Sequence, residues 1–338
     1  MFEVVHRFDP EGFPNRRRAS SLGRMTDDLE TQFLQHGFVT RPQALDSGFD
    51  DRAIHRMIRA GHWSRIGPGL YAGADYPTLT TEQQHLVRCR AVATRFDGTV
   101  VFAGQSAALA HGIAVWGLPL DDVHVNRLDT GRGRLQAGVR HHVASLADDE
   151  ITEVNGLLVT SPARTVWDIA VAAPREPALV IADSALHLGL ADDDELVELS
   201  RRHRSWRGAA RAKVTLSLAD GAAESPGETR TRYAVREFGL PAPVLQFELF
   251  DENGVLVARV DFAWPEFRHL AEFDGLKKYG TADDLAREKA REDAVRALAW
   301  GLTRIIWSQL SPGQRRALGE HLRAAMRQSQ RLYGPLAS

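Results

Sequence analysis

The stretch DDRAIHRMIRAGHWSRIGPGLYA, residues 50–72, decides how the N-terminal part of the chain folds. Asp50 can start a helix that Gly61 stops. At 100° per residue, Arg52, His55, Arg56 and Arg59 fall on one side of that helix, and Ile54, Met57 and Ile58 fall on the other. Four arginines, two histidines and no acid lie between Arg52 and Arg65. A helix that enters the major groove of DNA needs this pattern, because its guanidinium groups must be free to meet phosphates and base edges. Trp63-Ser64-Arg65-Ile66, the Gly67-Pro68-Gly69 turn and Leu70-Tyr71-Ala72 then read as a two-stranded hairpin with Arg65 on its first strand.

Upstream, Thr26 caps a helix with Asp27, Asp28 and Glu30 in its first turn and Gly37 as its stop, and a second helical unit runs from Thr40 to Gly48. Helix, helix, basic helix, hairpin is the order of a winged helix-turn-helix, here over residues 26–75. Ahead of it, residues 1–25, with Arg16-Arg17-Arg18, are expected to be a disordered leader. The run Gly37-Phe38-Val39-Thr40-Arg41, Gln43-Ala44-Leu45, Gly61-His62-Trp63 and Gly69-Leu70-Tyr71-Ala72 resembles the N-terminal domain of the AbiEi-type antitoxins of type IV toxin-antitoxin systems. That resemblance implies an autoregulator that binds double-stranded DNA and has a cognate toxin as partner. Winged-helix regulators often read repeated half-sites as homodimers, so a homodimer belongs with these expectations, although no interface is legible in the chain.

Composition constrains the remainder. The 338 residues, 43% of them hydrophobic, have room for two or three domains. A net charge of -2 gives no global reason to expect a polyanion partner, so a nucleic-acid reading rests on local clusters. The single cysteine, Cys89, excludes a disulfide framework and a cysteine-based zinc site. No run approaches the roughly 18 apolar residues of a membrane span, and no signal peptide is evident, so a cytoplasmic, non-membrane protein is expected.

Residues 80–215 read as a central α/β region. Ser106-Ala107-Ala108-Leu109-Ala110-His111-Gly112, Val123-His124-Val125-Asn126-Arg127 and Thr160-Ser161-Pro162-Ala163-Arg164-Thr165 resemble the central part of AbiEi-like proteins. His111, His141 and His142 lack cysteine or spaced carboxylate partners and read as structural rather than metal-binding. Arg127, Arg132, Arg134 and Arg140 read equally as an extension of the DNA surface or as solvated loop charges. The same two readings stay open for Arg201, Arg202, His203, Arg204, Arg207 and Arg211, a basic run leading out of the region.

Beyond Gly221, Ser225 and Pro226 open a helix to about Phe238. Strands follow at Val244–Phe250, Val255–Ala263 and His269–Phe273, then a helix from Thr281 to Trp300 and a strand at Leu302–Trp307. The order α-β-β-β-α-β over residues 222–312 is the core order of the restriction-endonuclease-like fold, followed by a C-terminal helix and tail, 313–338. The expected whole is thus an α+β multidomain chain. Asp261 lies in the second strand and, after ten intervening residues, Glu272 and Asp274 lie two apart in the third. Alternate strand positions share a face, so Asp261 and Glu272 could meet at one Mg²⁺ or Mn²⁺ that activates water and stabilises a leaving oxygen. Pairing of these acids with Arg259, Lys277 or Lys278 is the structural alternative.

Glu224-Ser225-Pro226 with Glu228, Gly239-Leu240-Pro241-Ala242-Pro243, Gln246, Val260-Asp261-Phe262-Ala263-Trp264-Pro265, Glu272-Phe273-Asp274-Gly275 with Lys278-Tyr279, and Arg287-Glu288-Lys289 with Arg291-Glu292-Asp293 resemble the DUF559 family. That family is related to very-short-patch-repair endonucleases of the PD-(D/E)XK group. The resemblance implies Asp261 and Glu272 as metal ligands and Asp274 as a third. The group's lysine two residues after the glutamate is Asp274 here, and Lys278 is the candidate replacement. Glu228 could add a carboxylate, although Ser225 and Glu228 also spell a capping box. Arg287, Lys289 and Arg291 are expected on the DNA backbone, or paired along their helix with Glu288, Glu292 and Asp293. Three functions follow: a metal-dependent DNA endonuclease targeted by the winged helix, a transcriptional regulator and antitoxin with a degenerate nuclease fold, or an interaction protein without a nucleic-acid partner whose basic helix is merely a surface.

Overall fold

The computed structural model describes residues 27–96, 98–128, 133–275 and 282–334. The expected leader, the caps Thr26 and Thr281, and Arg132 lie outside them. The chain is mixed α+β and divides into two compact units. One takes in the chain up to Ala173 and returns for Ala191–Lys213, while the other holds Pro174–Leu190 and Val214 onward.

The first unit opens with α1 (Asp27–His36), β1 (Phe38–Thr40), α2 (Arg41–Asp46), α3 (Asp51–Arg59), β2 (Trp63–Gly67) and β3 (Leu70–Gly73). Thr40 and Gln43 close a capping box on α2, and the Asp50 carboxylate accepts the Ala53 N–H at 2.6 Å to start α3. The hairpin expected from the sequence is joined by a third strand. β1 pairs antiparallel with β3, Phe38 opposite Ala72 and Thr40 opposite Leu70, giving the order β1-β3-β2. Three residues are too few to show a period in a sequence, and backbone pairing with β3 is what makes them a strand. Side chains then alternate across this sheet. Val39 and Tyr71 pack with Leu29, Ala44, Ile54, Met57 and Trp63 of the helical layer. Phe38, Leu70 and Ala72 face the other way, onto Val87 and Ala91.

Those last two residues belong to α4 (Thr81–Phe96), which serves two cores. Val87 and Ala91, one turn apart, cover the winged-helix sheet, whereas Cys89 and Val92 enter a second core with Val100, Phe102, Val125 and Val159. That second core lies on a six-stranded mixed sheet. Its elements are β4 (Val100–Phe102), α5 (Gly104–Ala110), β5 (Val123–Arg127), β6 (Arg134–Gln136), β7 (Val139–His142), β8 (Ile151–Val154), β9 (Leu157–Thr160) and α6 (Pro162–Ala172), with strand order β6-β7-β5-β4-β9-β8.

After α6 the chain passes through α7 (Arg175–His187), which belongs to the second unit, and comes back as α8 (Asp193–Arg202), followed by α9 (Ala209–Leu216). α8 packs on α6 around a buried ionic knot. Arg164 of α6, with no exposed surface, pairs with Glu150 and, at 2.8 Å, with Asp168, while His203 Nε2 lies 2.7 Å from the same Glu150. In the second unit α10 (Pro226–Glu237), β10 (Val244–Phe250), β11 (Leu256–Trp264), β12 (His269–Asp274), α11 (Ala282–Ala297), β13 (Gly301–Ile306) and α12 (Arg315–Tyr333) follow in order. The sheet order is β10-β11-β12-β13. The first three strands are antiparallel, and β13 runs parallel to β12, as a helical crossover through α11 requires. α7 is tied into this unit by Arg230–Glu176 at 2.8 Å, Arg315–Glu176 at 2.5 Å and Arg232–Asp183 at 2.6 Å. Among the described residues no helix is long and apolar enough to cross a membrane.

Removing one member of a buried ion pair leaves the other charged and desolvated, at a cost of about 3–5 kcal/mol. Arg164→Ala is therefore expected to destabilise the first unit by that order. Urea unfolding followed by the fluorescence of Trp167 and Trp206 measures it.

Candidate nucleic-acid interface

α3 carries its apolar residues inward, with Ile54 and Met57 buried, and presents Arg52, His55, Arg56 and Arg59 to solvent. These four side chains line one open depression on the surface. None of the three arginines has an acidic partner among the described residues. Asp51, in the first turn, is taken by Arg41, whose Nε and Nη2 donate to its two oxygens at 2.9 and 2.7 Å. The Arg41 guanidinium holds the Asp51 carboxyl below its ordinary value, chiefly through these hydrogen bonds. The acid next to the cationic face is thus engaged chiefly by Arg41, with a lesser attraction to His55, and the three arginines of the face stay uncompensated. Arg65 stands exposed on β2, one strand away in the same module. This places Arg52, His55, Arg56 and Arg59 together and Arg65 on the hairpin beside their helix.

The second unit gathers the expected carboxylates around the strands β11 and β12. Asp261 and Glu272 sit one step beyond the paired residues Phe262 and Ala271, on neighbouring strands. Asp261 accepts the Phe273 N–H at 2.7 Å. Glu272 receives both ends of the Arg291 guanidinium, at 2.5 and 2.8 Å. Glu228, at the start of α10, accepts from Ser225 Oγ at 2.7 Å, from the Glu224 N–H at 2.9 Å and from Gln246 Nε2 at 2.8 Å. Ser225 caps the helix by accepting the Glu228 N–H at 3.2 Å, but the expected capping box is only half formed, because the Glu228 carboxylate takes the Glu224 N–H rather than that of Ser225 and faces the cluster. Gly227 makes this possible, because a Cβ there would run into the Phe273 ring. Asp274 has one buried carboxylate oxygen without a hydrogen-bond partner among the described residues.

Burial, then the neighbouring Glu228 carboxylate, and then Glu272 push the Asp261 carboxyl up to about 7, against the pull of the Phe273 N–H. Burial also raises Glu228. Such crowding is what a cation would relieve. Yet the arrangement is not a closed ligand set: among the described residues no three His, Cys, Asp or Glu side chains come together to hold a metal ion. The Glu272 oxygens are already held by Arg291. A divalent cation at Asp261 and Glu272 would therefore compete with Arg291 for the Glu272 carboxylate.

Among known proteins, the chain is 31% identical over 252 residues to the uncharacterized proteins MT2308 and Rv2248 of two Mycobacterium tuberculosis strains, covering 74% of this chain and 88% of each relative. The chain belongs to their family. A match of that length exceeds either compact unit, so the kinship takes in residues of both. Residues 29–72 match the family model described as a transcriptional regulator, AbiEi antitoxin. That span runs from α1 to β3 and contains Arg52, His55, Arg56, Arg59 and Arg65. The N-terminal module is thus AbiEi-like. The crystal structure of the RV2827C protein from M. tuberculosis is 16% identical, with a TM-score of 0.37 over 63% of this chain and 83% of that one, a superposition too loose to define a shared fold.

Lys278 and Lys277 lie outside the described residues. Arg287 and Lys289 stand exposed on α11, apart from Arg291, which turns inward to Glu272. Gln246, one of the residues that carry the DUF559 resemblance, was assigned no role by the sequence. Its φ of 49° is left-handed backbone inside a strand, a conformation that costs a non-glycine residue about 1–3 kcal/mol, and its amide ends on Glu228.

Asp261 gives a pH test. Its carboxyl titrates near 7 when folded and near the ordinary 3.8 when unfolded, so the folded chain binds more protons between those values. Stability therefore falls as pH rises through that window, and the loss is complete above about 7. Asp261→Asn is expected to raise the urea midpoint at pH 8 and leave it near wild type at pH 4.

Proposed function

We propose that this chain is a DNA-binding transcriptional regulator of the AbiEi type, in which α3 enters the major groove of double-stranded DNA and Arg65 on the hairpin meets the phosphate backbone. One observation carries the reading: the outward face of α3 consists of Arg52, His55, Arg56 and Arg59, and its three arginines have no acidic partner among the described residues. Uncompensated guanidinium groups repel one another, and a helix held rigidly by a buried apolar face gains from setting them against base edges and phosphates. The match of residues 29–72 to a transcriptional regulator and antitoxin model supports the same reading. A cognate toxin and a homodimeric arrangement on repeated half-sites are the partners that this class implies.

The test is binding of the full chain to duplexes from its own promoter region. A bidentate arginine–base contact contributes roughly 1–3 kcal/mol, so Arg52→Ala and Arg56→Ala are each expected to weaken specific binding by about five- to 150-fold. Arg65→Ala is expected to weaken all duplexes alike. Equal affinity for wild type and the α3 variants would remove α3 from the interface.

A second reading concerns the C-terminal module. Its resemblance to DUF559, the α-β-β-β-α-β element order and the crowded Asp261, Glu228 and Glu272 favour a nuclease of the PD-(D/E)XK group, with Asp261, Glu272, Asp274 and Lys278 as its site and Mg²⁺ or Mn²⁺ as cofactor. The Arg291–Glu272 pair and the aspartate in place of the lysine favour a module that binds without cutting. Cleavage of supercoiled, linear and single-stranded DNA with Mg²⁺ or Mn²⁺ separates the two. Cutting that disappears in both Asp261→Ala and Glu272→Ala establishes the enzyme, and binding without cutting establishes the regulator alone.

A further inference from the structure

The sequence between Arg201 and Lys213 holds five arginines, one lysine, one histidine and no acid. The structure sorts these charges into two sets. Arg202 is paired with Asp149 at 2.9 Å, Arg211 donates to the Val171 carbonyl at 2.6 Å, and His203 lies against Glu150. Those groups build the loop. Arg201, Arg204 and Arg207 point outward and are exposed. Arg204 and Arg207 have no acidic partner among the described residues. Arg201 reaches Glu198 at 3.9 Å, between side chains 75% and 58% exposed, a contact that solvent largely screens.

The loop that carries the outward set is held rigidly. Trp206 packs against His203 with the rings tilted by 41° and their centres 4.3 Å apart, and lies under the buried Arg164 guanidinium at 4.8 Å. The Trp206 N–H donates to the His203 carbonyl, and the Ala209 N–H donates to the Trp206 carbonyl, both at 3.0 Å. Gly208, at φ 95°, passes so close to the Val171 carbonyl that a Cβ would lie 2.6 Å from its oxygen. A solvated basic run needs none of this scaffolding, since like charges lower their energy by spreading into water. Here aromatic and ionic contacts hold the backbone from which three guanidinium groups, three residues apart, extend into solvent. A fixed backbone reduces the ordering left to be done when guanidinium forks meet the evenly spaced oxygens of a phosphate backbone.

We propose that residues 201–207, the last turn of α8 and the loop after it, form a second DNA-contact surface, in which Arg201, Arg204 and Arg207 grip the phosphate backbone of the duplex independently of base sequence. The proposal takes its ligand from the DNA-binding reading of α3 and adds to it a contact in a different part of the first unit. It does not depend on α3 making the base contacts.

The experiment is fluorescence anisotropy of the full chain on specific and scrambled duplexes across a KCl series. It compares wild type, an Arg52→Ala/Arg56→Ala variant, and a variant with Arg201, Arg204 and Arg207 all changed to Gln. Each phosphate contact contributes about 0.9 to the slope of log affinity against log salt. The triple Gln variant is expected to lose about 2 to 3 from that slope and to weaken both duplexes equally, with an unchanged thermal melt. Lysines at the three positions are expected to restore most of the slope, which a merely structural role would not do. If the triple variant keeps the wild-type slope and affinity while the α3 variant loses binding, the loop proposal is overturned and the α3 reading stands. Loss in the triple variant with none in the α3 variant supports the loop and overturns the α3 reading. Failure of wild type to bind either duplex overturns both.

Discussion

A guanidinium with no exposed surface stays charged inside a protein only if carboxylates and carbonyls replace the water it has lost. Arg164 meets that condition at Nε and Nη1, through Asp168 and Glu150, while its Nη2 has no hydrogen-bond partner among the described residues, and Glu150 in turn engages His203 and Arg202. The consequence reaches beyond the pair. α8 is returned to the first unit after the excursion through α7, and the loop after it is held by Trp206 lying under the same guanidinium. The geometry of the exposed arginines on that loop follows from a charge that is not exposed at all.

Paired and unpaired cations divide the molecule by role. Inside the second unit, Arg230, Arg232 and Arg315 have acidic partners in α7 or α10 and act as fasteners. On α3, by contrast, Asp51 is engaged by Arg41 and the neighbouring arginines are left without acids from the described residues. Such exposed groups are concentrated at one helix face and in the anchored segment from the end of α8. α4 adds a mechanical element. It contributes Val87 and Ala91 to the winged-helix core and Cys89 and Val92 to the central core, so the two share one rigid rod.

The carboxylate cluster obeys the opposite logic. Asp261, Glu228 and Glu272 crowd together at some cost, and Arg291 satisfies only the last of them. Gln246, in left-handed backbone, supplies a neutral donor to Glu228 where a lysine would have supplied a charge. Strain and crowded acids are retained in proteins where a site requires them. The described arrangement holds its negative charge with an arginine and an amide rather than with a closed set of metal ligands.

The basic helix face was legible in residues 50–72, because a helix repeats every 3.6 residues and Ile54 and Met57 must face inward if Arg52 and Arg56 face out. Caps at Asp50 and Ser225, and the order of helices and strands from α10 to β13, were legible for the same reason: each depends on neighbours in the chain. What is carried by residues distant in sequence was not. β1 is a strand because β3 pairs with it, α7 sits in the second unit because Arg230, Arg232 and Arg315 reach it, and Arg291 turns from the α11 surface because Glu272 is within reach. The run at 201–213 left both readings open in the sequence, and tertiary contacts then separated its fasteners from its free charges. Local periodicity and capping are properties of the chain itself; which charges find partners is decided only when the fold brings them within a few ångströms of one another.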